Sequence, residues 1–393
     1  MRRFCAILAG MVFFCAGLFK LIDPLGTSVT VSQYLDFFHL GILGWVSFAA
    51  GVLLSLLELL TGLALLMGVF KKLSARVAIV LAAFFTLLTL IILIFSPSDD
   101  CGCMGDVVEL GSFATFIKNV VLCGLVAGAC LPLSALKKGR PRQYVAFSCF
   151  GVFGLLLGLY SIFFLPLWDF TSFAPGNRLV SLTDPVNMVS ETFFVYSKEG
   201  EEQSFSLENL PDSTWTFVKQ ETNEYLDFSA PENYIPVRTE DGGSADSLLL
   251  KGKVLLMSLY NPRALLKLDW ETVCQFFNES LPEDVTPLIL HSYIPREDIP
   301  VADTYIYSSD KAALMSLVRS NGGFVYLNDG MIVDKWAWPT KPSAREVQEI
   351  TAAHPGSVAA KNAIPGRIIL ILYIILPLLV SFYVDKKGQK DNK

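Results

Sequence analysis

The chain has 393 residues, a formal net charge of −6 and 52 % hydrophobic residues. Its mean hydropathy of +0.48 is more than a soluble globular chain of this size needs, so membrane spans are expected. Acidic residues concentrate between 169 and 365, where 28 Asp and Glu face 15 Lys and Arg, which argues against a nucleic-acid partner.

A bilayer core needs about 20 apolar residues per helix. Six stretches meet that length: Phe4–Ile22, Val46–Phe70, Ala75–Phe95, Asn119–Leu136, Val145–Leu167 and Ile368–Val384. The first resembles a signal peptide after Arg2 and Arg3, but no small-x-small cleavage site follows, so a retained helix is expected. Between the first two spans, Thr27 to Gly44 is rich in aromatics and reads as an interfacial helix capped by Thr27 or Ser28. Gly124 and Gly128 form a small-xxx-small match that suggests close helix packing.

Lys and Arg placement sets the orientation. With the N-terminus inside, thirteen Lys and Arg fall on the cytoplasmic side, among them Arg2, Lys71, Arg140 and Lys386. The expected arrangement is a bacterial inner-membrane protein with both termini cytoplasmic and one large extracytoplasmic region. Membrane lipid is then an obligatory neighbour. The expected divisions are a four-helix membrane unit at 1–140, a fifth span at 141–168 and a β-rich outer region at 169–248. An α/β domain at 249–364, a sixth span at 365–385 and a basic tail at 386–393 complete the chain.

In the outer region, Thr192 to Tyr196 and Gln203 to Phe205 flank a turn and read as a hairpin. Asn223 to Ser247 is polar, with Asp241-Gly242-Gly243 as a turn. Lys253–Tyr260 reads as a buried strand, Asn261–Asn278 as a helix and Pro287–Tyr293 as a second strand. Ser309-Asp310 caps a helix to Ser320, and Asn328-Asp329-Gly330 joins two strands in a hairpin. Ser343 opens a last helix through Ile350. This order, β-α-β-α-β-β-α over Leu249 to Ile350, resembles the thioredoxin fold. That family carries Cys-x-x-Cys after the first strand and a cis-Pro before the hairpin. Here those positions read Tyr260-Asn261-Pro262-Arg263 and Asn321-Gly322-Gly323. The resemblance therefore implies a binding or docking domain, and Cys274, its one thiol, reads as a small buried hydrophobe.

The chemistry-bearing motif is Cys101-Gly102-Cys103, directly after the third span. A disulfide between residues i and i+2 departs from relaxed geometry and is easily reduced, and Gly takes the backbone angles such a ring needs. Asp99, Asp100 and Asp106 beside it would raise the thiol pKa values and slow attack. Redox exchange ranks ahead of a structural disulfide, and both rank ahead of a metal pair completed by His39 and the aspartates. Glu58 lies mid-span, where a carboxylate relays a proton, binds a polar ligand group or is simply protonated and hydrogen-bonded. Lys20, near the outer helix end, is expected to snorkel outward, and a pair with Glu58, which would need one side chain to bridge much of a leaflet, is not assumed. Cys5, Cys15, Cys123, Cys130 and Cys149 read as packing residues. His39, His291 and His354 all fall outside the spans, which argues against a haem held by His in the bundle. No cofactor is identifiable: a quinone is conceivable, but no motif marks a pocket for one.

Three segments carry a further resemblance: Gly17 to Pro24, Glu58 to Gly62, and Cys101-Gly102-Cys103-Met104-Gly105-Asp106. Together they resemble the DoxX superfamily, and the last resembles the methylamine-utilisation protein MauE more closely, with Met104 replacing the usual aromatic. The resemblance covers residues 1–136 and implies a four-helix membrane unit tied to thiol–disulfide or respiratory electron chemistry. It implies Cys101 and Cys103 as catalytic residues acting on an exported or envelope protein. The competing reading is a non-enzymatic membrane scaffold that binds its partner through the outer domain.

Overall fold

The computed structural model describes residues 1–95, 111–135, 139–181, 188–198, 201–206, 211, 214–226, 233–261, 273, 275–277, 281–292 and 306–390. Six helical segments among them are long and apolar enough to cross a membrane. They fall where the apolar runs predict, with ends shifted by several residues. The helices are α1 (Arg2–Ile22), α2 (Pro24–Phe37), α3 (Ser47–Met67), α4 (Lys71–Phe95), α5 (Ser112–Cys130) and α6 (Pro141–Phe163). A 3-10 turn, Gly41–Val46, leads into α3.

The α1–α3 pair is the most extensive helix contact in the bundle. It is a seam of glycines. A Cβ on Gly17 would sit 2.3 Å from the Leu59 nitrogen, and one on Gly62 would sit 2.3 Å from the Phe14 nitrogen. The backbones approach this closely because no side chain separates them. The Gly124–Gly128 match works differently: Gly124 faces open space and Gly128 lies against Cys5. The helices α1 and α3 run antiparallel, as Gly10 beside Gly62 and Gly17 beside Ser55 require. The helices α4 and α5 also run antiparallel, with Asn119 bonded to Phe85 and Thr89.

The interfacial helix starts earlier than expected. Asp23, not Thr27 or Ser28, is the cap of α2, and its carboxylate accepts a hydrogen bond from the Gly26 N–H at 2.9 Å. Pro24 explains the shift: it cannot continue α1 but fits the first turn of a new helix. Thr27 instead donates its hydroxyl to the carbonyls of Lys20 and Asp23, tying α2 to the end of α1. At the other end, Gly68 closes α3 in a left-handed conformation. Arg3 donates to the Leu65 carbonyl there at 2.9 Å, a cation on the negative end of a helix.

Two sheets follow. In the first, β1 (Met188–Lys198), β2 (Glu201–Ser206) and β3 (Thr216–Leu226) pair antiparallel in the order β2-β1-β3. The predicted hairpin is β1–β2. The strand β3 runs into the segment that reads as polar, because its pairing partner and not its own pattern sets its conformation.

The second sheet comprises β4 (Lys253–Leu259), β5 (Val285–Ser292), β6 (Ile306–Ser309), β7 (Gly323–Asn328) and β8 (Met331–Trp336) in the order β6-β5-β4-β7-β8. The strands β4, β5 and β6 are mutually parallel; β7 runs antiparallel to β4, and β8 runs antiparallel to β7. Central β4 is a continuous apolar run because both its faces are covered. Val254 and Leu256 pack beside Leu314 and Leu317, while Leu255, Met257 and Leu259 pack beside Phe324, Trp336 and Val347. The predicted Asn328–Gly330 turn forms, with Asp329 and Gly330 both at positive φ as a two-residue hairpin turn requires. Edge strand β6 is too short for a period-two pattern and was not expected. The helix α7 (Lys311–Leu317) is capped by Asp310, and α8 (Ala344–Ala352) by Ser343, as the sequence predicts. The predicted helix at 261–278, including Cys274, lies mostly outside the described residues.

The last helix, α9 (Pro355–Lys390), is longer than the predicted span and contains Pro365 and Pro377. It packs against β8, so sheet and bundle share one continuous element.

Candidate functional site

Cys101 and Cys103 lie outside the described residues, as do Asp99, Asp100 and Asp106. What the structure fixes is where their flanks are. The segment joins the end of α4 at Phe95 to the start of α5 at Ser112. Because α4 runs parallel to α1, that end of the bundle is also the end where α1 hands over to α2. Asp23, at this junction, pairs with Arg319 of the sheet domain, Nε to Oδ2 at 2.9 Å. Both flanks of the cysteine segment therefore lie at the end of the bundle that carries the sheet domain.

Glu58 is placed, and here the sequence expectation is corrected. Lys20 does not snorkel outward: its Nζ donates to Oε1 and Oε2 of Glu58 at 2.8 and 3.0 Å. Lys20 is 7 % exposed and Glu58 1 %. Counting residues from helix ends gave the wrong separation because it ignored register. The Gly17 contact brings α1 against Ser55 and Leu59, and Lys20, one turn beyond Gly17, then meets the neighbouring Glu58. The ammonium also lies 4.9 Å from the centre of the Phe85 ring on α4. A buried pair of this kind persists only when each charge is satisfied by the other.

Other polar groups lie near this level of the bundle. Ser55, Thr89 and Asn119 are buried. The Asn119 amide donates to the Phe85 carbonyl and the Thr89 hydroxyl, both at 3.3 Å. Sequence reading missed Thr89 and Asn119; the signal available was a polar amide in an apolar run, which is costly unless partnered. Beside Lys20 lies a cavity of about 530 Å³ between α2, α3 and α4.

A second polar cluster joins bundle to sheet domain. Lys335 on β8 donates to Asp169 at 2.7 Å, and the Asn362 amide on α9 donates to Asp334 at 2.6 Å. Burial alone would raise the Asp169 carboxyl. The charge of Lys335 and hydrogen bonds from Lys335 and Thr171 outweigh it, holding the group below the usual range. Asp334 goes the other way, pushed up to about 6 by burial and secondarily by Glu346, against the bonds from Lys335 and Asn362.

Where the sequence places Asn261 and Asn321 at the two positions facing each other across the sheet end, the structure joins them. The Asn321 amide donates to the Asn261 carbonyl at 2.7 Å and accepts from the Asn261 N–H at 2.9 Å. The thiols of Cys5, Cys15, Cys123, Cys130 and Cys149 are free. Cys123 meets the Thr86 hydroxyl at 3.2 Å. No group of three His, Cys, Asp or Glu suited to a metal occurs among the described residues. His39 is exposed after α2 at positive φ, and His291 is buried on β5, so the histidines do not converge.

Residues 2–132 match the family model of the methylamine utilisation protein MauE, so the N-terminal third is a MauE-like helical membrane unit. Residues 190–224, which hold β2 and most of β1 and β3, match a domain of unknown function (DUF8463). No curated protein and no solved structure matches the chain.

Proposed function

We propose that this chain is a membrane-embedded thiol–disulfide exchange protein whose reactive pair is Cys101 and Cys103. The observation that carries the reading is that the family match spans the Cys-Gly-Cys segment and the four span-length helices around it. In the exchange, one thiolate of a partner dithiol attacks the Cys101–Cys103 disulfide, forming a mixed disulfide and releasing one thiol. The second partner thiolate then attacks the mixed bond. The partner leaves oxidised and the pair keeps two electrons and two protons. The positive charge of the segments at the opposite end of the bundle supports an extracytoplasmic, inner-membrane placement of the pair.

The outer domain serves as the dock in this reading. The order β5-β4-β7-β8, with β4 and β5 parallel and β7 and β8 antiparallel, supports a thioredoxin-like core. Tyr260, Asn261, Pro262 and Arg263 supply no thiol at the position where that fold exchanges disulfides. The Asn261–Asn321 clasp instead favours holding a partner segment at that end. The same clasp favours a second reading, a scaffold whose cysteines play no part.

Trapping separates the two. In Cys101→Ser or Cys103→Ser variants expressed in cells, an exchange protein accumulates a mixed disulfide with an exported protein, visible on non-reducing gels. A scaffold yields none, keeps its phenotype with both cysteines replaced, and loses it on deletion of residues 190–350.

A further inference from the structure

A second cavity, of about 310 Å³, lies where the bundle meets the sheet domain. The segment after α6, the strand β8 and the stretch of α9 from Asn362 to Arg367 enclose it. This is the level at which α6 and α9 leave their apolar spans. Phe163, at the end of α6, and Ile364 and Ile368 on α9 are exposed there. Tyr160 and Trp168 line the cavity, as aromatics do at a membrane–water boundary.

The charges on its walls are unevenly matched. Lys335 is bound by Asp169, and Arg319 by Asp23. Two charged groups are left over among the described lining residues. Arg367 is exposed and makes no ion pair there; its guanidinium lies 5.2 Å from the centre of the Trp168 ring. Asp334 meets no cation. Its carboxylate accepts from the Lys335 backbone N–H at 2.9 Å and the Asn362 amide at 2.6 Å, both neutral donors. Burial, and secondarily the charge of Glu346, disfavour its ionised form, so an ammonium brought beside it would be stabilised.

An occupant that satisfies both groups carries an anion for Arg367 and a cation with N–H donors for Asp334. A bilayer presents such a pair at this depth as a phosphodiester followed by a primary ammonium. A choline head has no N–H to give Asp334, a glycerol head brings no cation, and a serine head adds a carboxylate beside Asp334. The cavity has room for a head group and not for acyl chains, which the exposed apolar side chains of Phe163, Ile364 and Ile368 would meet outside it.

We propose that this cavity binds the head group of a phosphoethanolamine lipid, with its phosphate on Arg367 and its ammonium on Asp334. The inference stands on the junction between bundle and sheet domain and does not depend on the cysteine chemistry.

The test is native mass spectrometry of the full chain in detergent micelles. Phosphatidylethanolamine, phosphatidylcholine and phosphatidylglycerol with the same acyl chains are titrated in turn. Phosphatidylethanolamine should bind at least about fivefold tighter than the other two. Arg367→Gln should weaken it about tenfold, the loss of one charge-assisted contact. Asp334→Asn should erase the preference and leave the phosphatidylcholine affinity unchanged; Asp334→Ser takes its place should that variant fail to fold. Soluble glycerophosphoethanolamine in large excess should not displace the lipid. Displacement by it would assign the site to a soluble ligand and overturn the lipid assignment. Equal affinity for the three lipids, a preference that survives loss of the Asp334 carboxylate, or indifference to Arg367→Gln would overturn the site itself. A C101S/C103S variant should bind phosphatidylethanolamine unchanged, so a null result in the trapping experiment leaves this site standing.

Discussion

Replacing one partner of the Lys20–Glu58 pair should damage the bundle far more than replacing both. Glu58→Leu strands an ammonium that is 7 % exposed, and Lys20→Met strands a carboxylate that is 1 % exposed. Leaving one member of a buried pair uncompensated costs about 3–5 kcal/mol. Glu58→Leu leaves Lys20 with only the face of Phe85, worth about 0.5–2 kcal/mol, which does not replace the two bonds lost. In Lys20→Met/Glu58→Leu both charges are gone and the volumes are nearly kept, so the double variant should lie within about 2 kcal/mol of the parent. The coupling energy from the cycle should then be at least about 3 kcal/mol, with each single worse than the double. Denaturant-induced unfolding of the purified protein in one detergent, followed by circular dichroism, measures all four corners. Single variants within about 1 kcal/mol of the parent, or a double variant as unstable as the sum of the singles, would refute a mutually dependent buried pair.

Three further outcomes follow from contacts elsewhere. Gly62→Val places side-chain atoms where even a Cβ would lie 2.3 Å from the Phe14 nitrogen, so α1 and α3 must separate; a large fall in melting temperature is expected, against a small one for Gly124→Val, which faces open space. Asp334 titrates near 6 when folded and near 4 when unfolded, so its contribution to stability is present below about pH 4 and is lost as pH rises through 6. The loss is up to about 3 kcal/mol, and Asp334→Asn should flatten this pH dependence in melts between pH 4 and 8. Lys335→Met leaves Asp169 buried without its cation and should increase hydrogen exchange in β8 and α9 more than in β4.

Long apolar runs made the six helices legible, because length and hydrophobicity alone specify a span. The Asn328–Gly330 hairpin, and the Asp310 and Ser343 caps, were legible because each depends on residues adjacent in sequence. The strand β3 was not, since its conformation comes from pairing with β1 and its own residues alternate poorly. Nor was edge strand β6, which is too short to show a period. The helix α2 began earlier than expected because Pro24 and Asp23 together outrank the Thr and Ser that follow. The Lys20–Glu58 pair was misjudged for a different reason. Both residues were visible, but the crossing of α1 and α3 that joins them depends on glycine contacts between distant residues. The cavity beside Lys20 was illegible for the same reason: its walls come from four helices, and no motif encodes the space between them.

The account turns on whether Cys101 and Cys103 face the envelope and cycle between dithiol and disulfide. Differential alkylation of intact cells with a membrane-impermeant maleimide, followed by mass spectrometry of the peptide spanning residues 77–118, asks this directly. The account predicts labelling without permeabilisation after mild reduction, and none after oxidation. Labelling only in permeabilised cells, or a pair whose reactivity is the same in both conditions, would contradict it.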